Sequence, residues 1–244
     1  MNRQTELVSL YKGLRLTDVC DGLDAVGLID TCTMDWKIRP LWRDTEDLSH
    51  CICGCAHTVR FVPTHRVVPR PLPIEEYKAW KNDWYSERAP GPREPVMSGE
   101  VLVFDGAEVG DTGFIGSCNG LSWIVEGAAG IVTNGGCRDT DELIKQKVPV
   151  YSRRIARGIR PGRLEWDAEN VAIECGGVHV VPGDIVVADG DGVIVVPIDR
   201  AEEVARIARA VAGEDRKARR ALYTKAGLEQ DVTTRNLNED GSDC

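Results

Sequence analysis

The sequence predicts an α/β fold, and three observations carry the prediction. Between residues 100 and 152 short apolar runs alternate with helix-patterned segments, the rhythm of strand–helix–strand units. From Val171 onward the β-branched runs VHVV, DIVVA and GVIVVP are separated by the turn sequences Pro182-Gly183-Asp184 and Asp189-Gly190-Asp191-Gly192. After Pro197, Val204, Ile207, Ala208 and Val211 mark an apolar stripe at helical spacing, so a helix follows the sheet.

Taken in order, the elements begin with a short helix over Thr17-Asp18-Val19-Cys20-Asp21-Gly22-Leu23, where Thr17 or Asp18 is a candidate cap and Val19, Leu23 and Val26 share a face. CICGCAHTVRFV, residues 51–62, alternates small or apolar residues with others ahead of Pro63 and suits a strand. Residues 64–97 change character. Prolines at 69, 71, 73, 90, 92 and 95 flank IEEYKAWKNDWYSE, which predicts an insertion containing one helix. Its Tyr77, Trp80, Trp84 and Tyr85 lie near helical spacing, and that face is either packed against protein or serves as a substrate lid. Strands are then expected at Glu100–Asp105, Ala129–Thr133 and Val148–Ser152, with helices at Cys118–Glu126 and Thr140–Gln146. Asp199 with Glu202 three residues on predicts a capping box for the last helix. The polar end NLNEDGSDC carries too little apolar surface to hold itself down, so residues 226–244 read as a flexible tail behind a single domain, 1–225.

Composition narrows the function. A 42% hydrophobic content in 244 residues supplies a real core, and 39 acidic against 30 basic residues give a net charge of -9. That field repels phosphate, which disfavours nucleic acid and anionic membrane as partners while leaving room for a basic pocket that takes a small acid. With no apolar run of about 18 residues and no apolar core in MNRQTELVSLYKGLRL, a cytoplasmic protein is expected. Nine cysteines form an odd, scattered set, read as reduced thiols.

Chemistry concentrates between residues 116 and 139. Gly116-Ser117-Cys118-Asn119 is a glycine-flanked turn entering a helix, and the free N–H groups of such a turn, with the positive helix end, favour a carboxylate. Arg138 follows the Gly135-Gly136 turn, where its guanidinium can grip a carboxylate or 2-oxo acid bidentately. Asp139 beside it can hold a hard divalent cation, for which one carboxylate plus several waters suffices. An Arg-Asp pair also serves commonly as a surface ion pair or helix cap.

These segments resemble the RraA-like family, whose hallmark reads approximately G-E/D-L-L, a helix, then G-x-A-G-x-V-x-D-G-x-x-R-D. The chain keeps Gly116, Gly127, Ala129, Gly130, Val132, Gly135, Arg138 and Asp139 at that spacing. Further resemblance lies in Thr17–Asp21, Gly54–Val59 and the run from Pro182 to Pro197, so the match covers most of residues 15–212. The resemblance implies a swivelling β/β/α sandwich with a C-terminal helix, assembled as a homotrimer or homohexamer. It also implies 4-hydroxy-4-methyl-2-oxoglutarate or 4-carboxy-4-hydroxy-2-oxoadipate aldolase-like chemistry. Carried over, Gly116, Ser117, Cys118 and Asn119 bind the pyruvate portion through backbone N–H groups, Arg138 binds the 2-oxo acid, and Asp139 anchors Mg²⁺ or Mn²⁺. The metal acts as a Lewis acid toward a pyruvate enolate.

Two departures stand out: Ser117 where the family's aldolases carry an acidic residue, and Asn134 where the strand usually ends in Asp. A neutral hydroxyl does not replace a carboxylate that orients an acid–base water. A glutamate from a neighbouring subunit's C-terminal region is also implied, with Glu202, Glu203 and Glu214 as candidates. The insertion is longer than expected of the family's shorter members.

Other constellations are weaker. Cys51, Cys53, Cys55 and His57 alternate along one strand at about 7 Å on one face, too far apart for one tetrahedral zinc. Cys118 lacks a nearby histidine base and reads as pocket lining rather than a nucleophile. His179 reads as a satisfied sheet histidine, and Asp184, Asp189 and Asp191 as turn residues. The expectation is therefore a divalent-metal-dependent lyase acting on a small 2-oxo or hydroxy acid by aldol cleavage or decarboxylation. The alternatives are a metal-dependent hydratase or hydrolase, or a non-catalytic protein-binding regulator.

Overall fold

The computed structural model describes residues 3–235. Two helices, α1 (Arg3–Tyr11) and α2 (Leu16–Ala25), lead into β1 (Arg39–Pro40) and the long β2 (Ile52–Pro63). The insertion forms α3 (Ile74–Asp83), which runs into a π-helical turn at Trp84–Arg88. Then come β3 (Val101–Asp105), β4 (Gly113–Ile115), α4 (Ser117–Glu126), β5 (Gly130–Cys137), α5 (Thr140–Lys145) and β6 (Val150–Ile155). The chain continues through β7 (Leu164–Glu169), β8 (Ile173–Cys175), β9 (Val178–Val180), β10 (Ile185–Asp189) and β11 (Gly192–Val196) to the long α6 (Ala201–Ala226).

One sheet runs in the order β1-β6-β5-β3-β2-β10-β11, with β4 added to β5 and β7 to β2; β8 and β9 form a small separate hairpin. The centre, β6-β5-β3-β2, is parallel, while β10 and β11 continue it antiparallel. The two ends of the sheet meet: Thr33 bridges Ile194, and the Arg39 guanidinium donates to the Asp191 carbonyl. The sheet is therefore nearly closed.

Period-2 alternation explains why the strands read as continuous apolar runs. Val101, Val103, Val132, Tyr151, Val186 and Val195 point into the curl of the sheet. Their neighbours Leu102, Phe104 and Ile131 face α4 and α5, meeting Trp123 and Leu143. On the outer side of β10 and β11, Ile185, Val187, Ile194 and Val196 are covered by α1, α2 and α6 through Leu7, Val19, Leu23, Val204 and Ala208. Strands buried on both faces lose the polar alternation of a half-exposed sheet.

Several expectations change in detail. The cap of α2 is Arg15; Asp18 sits three residues inside and accepts the Arg15 N–H at 2.9 Å, while Thr17 is exposed. Helix α6 is entered through Arg200, which pairs with Glu203 at 2.9 Å, in place of the expected Asp199–Glu202 box. His179 lies exposed on β9. The acidic turns do behave as turns: Asp184 accepts the N–H groups of Val181 and Ile198, and Asp189 those of Leu16 and Asp191. Strands β1, β4, β7 and β8 and helix α1 went unanticipated. Of the segment expected as a tail, Asp231–Arg235 folds back on α6, with Thr234 buried and the Arg216 and Arg219 guanidiniums donating to the carbonyls of Arg235 and Thr233. Residues 236–244 lie outside the described residues.

The insertion divides its aromatic face between packing and cavity. Trp84 is buried and its indole N–H donates to the Leu164 carbonyl at 2.9 Å, while Trp80 stacks against it at 5.6 Å. Tyr85, one residue further, lines a cavity. The returning end of the insertion is held by a node that sequence reading missed: buried His57 sits between Glu100, 3.0 Å from Nδ1, and Glu169, 2.6 Å from Nε2. Those carboxylates also accept the backbone N–H groups of Met97, Arg93 and Glu94. Burial disfavours the charged imidazolium, but the flanking Glu169 and Glu100 outweigh it and raise the pKa of His57.

Candidate active site

The two sequence motifs meet because β4 pairs parallel with β5, aligning Gly113 with Gly136 and Ile115 with Cys137. That register brings the turn at Gly116 beside Arg138 and Asp139, and the Arg138 N–H donates to the Ile115 carbonyl at 2.8 Å. Both motifs thus stand at the carboxyl ends of parallel strands, where α/β sheets place their ligands.

Helix α4 starts at Gly116, and its first intrahelical bond runs from the Gly120 N–H to the Gly116 carbonyl. The N–H groups of Ser117, Cys118 and Asn119 are therefore free of intrahelical acceptors. Ser117 donates its N–H to Oδ2 of Asp139 at 3.3 Å. The closeness requires glycine at 116: a Cβ there would lie 2.8 Å from that same oxygen.

Asp139 has φ 54° and ψ 45°, a left-handed conformation that costs an L-residue energy and that Asp tolerates better than most. The conformation turns the carboxylate back toward α4. Its Oδ1 accepts from Nε of Arg138 at 3.1 Å, and both side chains remain about a third exposed. The pair faces a cavity of about 500 Å³, within the range of small-ligand sites, lined also by Gly116, Cys118 and Asn119. Ser117 is buried beneath the cavity wall.

Three further lining residues come from segments that the motif reading did not connect to the site: Lys81 and Tyr85 from the insertion, and Arg160 from the loop after β6. Burial raises the Tyr85 phenol above its ordinary pKa, against the opposing pull of Arg160 and Arg138. Cys118 is exposed at the cavity and no histidine lines it, whereas Cys137 is fully buried with its thiol 3.2 Å from the Ser152 hydroxyl. Asn134 also has a local explanation. Its amide donates to Asp105 at 3.0 Å and its oxygen accepts the Gly106 N–H at 2.8 Å, so an aspartate here would set two carboxylates against each other.

The donor set favours one kind of metal. Among the described residues no group of three or more His, Cys, Asp or Glu is placed to hold an ion, and the cavity offers the single carboxylate of Asp139. One carboxylate fits a hard cation that keeps most of its water, such as Mg²⁺ or Mn²⁺, and does not fit a zinc cage. Cys51, Cys53, Cys55 and His57 are divided among an exposed end, the helix-covered core and the glutamate node. Glu202 and Glu203 lie on α6, which covers β10 and β11, and line a separate surface groove. A second cavity of about 490 Å³, between the α1–α2 connection, the start of β2, the end of β10 and α6, lacks the glycine-turned helix start and the Arg-Asp pair.

Comparisons with known proteins bear on the family and the fold. Residues 16–195 match the model of a family described as RraA-like, Aldolase/RraA. A 4-hydroxy-4-methyl-2-oxoglutarate aldolase of Thermus thermophilus is 34% identical over 106 residues, 43% of this chain and 63% of that protein. An uncharacterised protein of Methanocaldococcus jannaschii is 31% identical over 113 residues, 46% of this chain and 53% of its own length. The matched stretch therefore spans between half and two thirds of these curated relatives. Among solved structures, Streptomyces coelicolor RraAS2, described as an unusual member of the RNase ES inhibitor RraA protein family, superposes with a TM-score of 0.67. It is 26% identical, and the superposition covers 88% of this chain and 96% of that one.

Proposed function

The chain belongs to the RraA-like family, and from that premise we propose that it is a divalent-metal-dependent carbon–carbon lyase cleaving or decarboxylating a small 2-oxo or hydroxy acid. The observation that carries the reading is convergence on one cavity: the Asp139 carboxylate, the Arg138 guanidinium and the free N–H groups at the start of α4. A pyruvate carboxylate laid against α4 accepts the N–H groups of Cys118 and Asn119, and Arg138 closes on its other side. Asp139 holds Mg²⁺ or Mn²⁺, which when bound supplies Lewis acidity toward charge developing on the 2-oxo group. Tyr85, whose phenol burial pushes above its ordinary pKa, presents its hydroxyl at the same cavity.

Ser117 favours a second reading within the same site. With a hydroxyl where the family's aldolases carry an acid, and with that residue beneath the cavity, a hydratase or hydrolase reaction remains open to the same metal and arginine. The likeness to RraAS2 adds a reading without catalysis, as a protein-binding regulator. In all three readings the protein assembles as a homotrimer or homohexamer.

The test is exchange of pyruvate methyl protons for deuterium, followed by NMR with and without Mg²⁺. Metal-dependent exchange by the wild type, lost in Asp139→Asn, is the expected result. Absence of exchange in the wild type overturns the lyase, and absence of any Mg²⁺ or Mn²⁺ affinity overturns all metal-dependent readings.

A further inference from the structure

Breaking a carbon–carbon bond beside a 2-oxo group leaves an enolate, and the product is complete only when a proton reaches its terminal carbon. The ionisable side chains lining the cavity are Lys81, Tyr85, Cys118, Arg138, Asp139 and Arg160. A guanidinium keeps its protons near neutral pH. On the lyase reading Asp139 is given to the metal, and it already accepts from Arg138 and from the Ser117 N–H. Lys81, Cys118 and Tyr85 are left as proton donors, and no histidine lines the cavity.

Tyr85 is set apart by its surroundings. The Arg160 guanidinium lies 5.2 Å from the centre of its ring. Arg160 is 3% exposed and burial pulls its pKa down to about 10, while Tyr85 acts the other way and favours the charged form. From the phenol's side, burial has the largest effect and raises the pKa; Arg160 and Arg138 favour the anion, and Tyr77 and Asp139 oppose it. The phenol is therefore the resting form near neutral pH, and the phenolate it becomes on giving up a proton is met by the field of two guanidiniums. The backbone fixes it there. Tyr85 is the second residue of the π-helical turn Trp84–Arg88, closed by the Ala89 N–H on the Trp84 carbonyl at 2.8 Å and anchored by Trp84 in the core. Single π-helical turns recur at functional sites.

We propose that Tyr85 is the proton donor to the enolate carbon, with Arg160 beside it to receive the charge that the step leaves behind. The inference rests on the lyase reading and assigns the acid that completes it. Cleavage leaves the bonding electron pair on the enolate. The O–H bond of Tyr85 then breaks, its proton forms the new C–H bond of the product's methyl group, and its electron pair stays on the phenolate oxygen. A solvent proton restores the phenol; in aldol cleavage the proton of the substrate hydroxyl is released to solvent in exchange.

Exchange of pyruvate methyl protons runs this step in both directions, so the phenolate must first take a methyl proton. For the wild type in Mg²⁺ the exchange rate, followed by NMR, should climb about tenfold per pH unit above neutrality. Tyr85→Phe should slow exchange by about 100-fold or more and lose the climb, while pyruvate affinity by calorimetric titration stays within about 2-fold. A ring-fluorinated tyrosine at position 85, more acidic and nearly the same size, should move the climb to lower pH; it tests the role even if Tyr85→Phe fails to fold. Exchange by Tyr85→Phe at the wild-type rate overturns the assignment, as does loss of pyruvate affinity together with exchange, the mark of a residue that only shapes the wall. Exchange lost in Lys81→Met but kept in Tyr85→Phe overturns it in favour of the lysine. Absence of exchange in the wild type overturns the lyase reading and this assignment with it.

Discussion

Two of the places where this protein sets a cation against a carboxylate are built to opposite ends. At the His57 node the imidazole is 2% exposed, each ring nitrogen has a glutamate, and the glutamates are further bonded to backbone N–H groups of residues 93–97. At the cavity Arg138 and Asp139 are each about a third exposed, and Asp139 adopts a left-handed backbone to face the start of α4. The first arrangement is satisfied internally and holds the insertion in place. The second retains open acceptor and donor capacity in a concave site, the condition for binding a metal and an anion. Saturation marks the structural pair, and unspent bonding capacity beside a cavity marks the candidate functional one.

Substitutions can break this contrast. Asp139→Asn should abolish the metal-dependent pyruvate exchange, a loss of more than about 100-fold. It should leave stability within about 0.5 kcal/mol, since a partly exposed side chain is altered. His57→Leu should do the reverse, costing about 3 kcal/mol in urea unfolding because buried Glu169 loses its partner, with exchange by the folded protein retained. If both variants lose stability and activity together, the two sites are one coupled structure and the contrast fails.

Smaller effects sharpen it. Gly116→Ala forces a methyl group toward Oδ2 of Asp139, and a fall in Mg²⁺ affinity of about 10-fold is expected by titration. The pH dependence should be gentlest. The pKa of His57 is raised in the folded state, so its stabilising contribution is fully present below the unfolded value and declines as pH rises through the folded one. Glu169 is lowered, since His57 and the backbone N–H groups of Arg93 and Glu94 overcome its burial, and its contribution declines as pH falls through the folded value. Urea unfolding across pH, compared with His57→Leu, should show the difference between the two proteins shrinking on the alkaline side.

The motif-bearing half of the site was legible because it is local. Residues 116–139 form a single helix–strand passage in which glycine spacing, helix start and strand end all lie within one window of sequence. The insertion was legible as a change in composition and as one helix, yet the split role of its aromatic face was not. Trp84 and Tyr85 are adjacent in sequence, and only the π-helical turn with its packing against Leu164 sends one into the core and leaves the other on the cavity. The caps of α2 and α6 were misplaced because arginines at 15 and 200 took the entry positions, where acidic or hydroxyl residues would be expected.

By itself the sequence determined the α/β class, the major strands and helices of the second half, and the two local motifs, a glycine-turned helix start and the Arg138-Asp139 pair, which the unanticipated β4 then brings together. Hydrophobic periodicity, turn residues and local motif spacing are properties of short windows, and they survive without knowledge of the rest of the chain. The tertiary structure alone decided that His57 meets Glu100 and Glu169, and that Arg160 arrives beside Arg138 with no carboxylate of its own. Those contacts join residues tens of positions apart. They depend on how β2 pairs with β3 and β7 and on how the insertion packs across the sheet, a register fixed by burial of the whole core and encoded in no single segment.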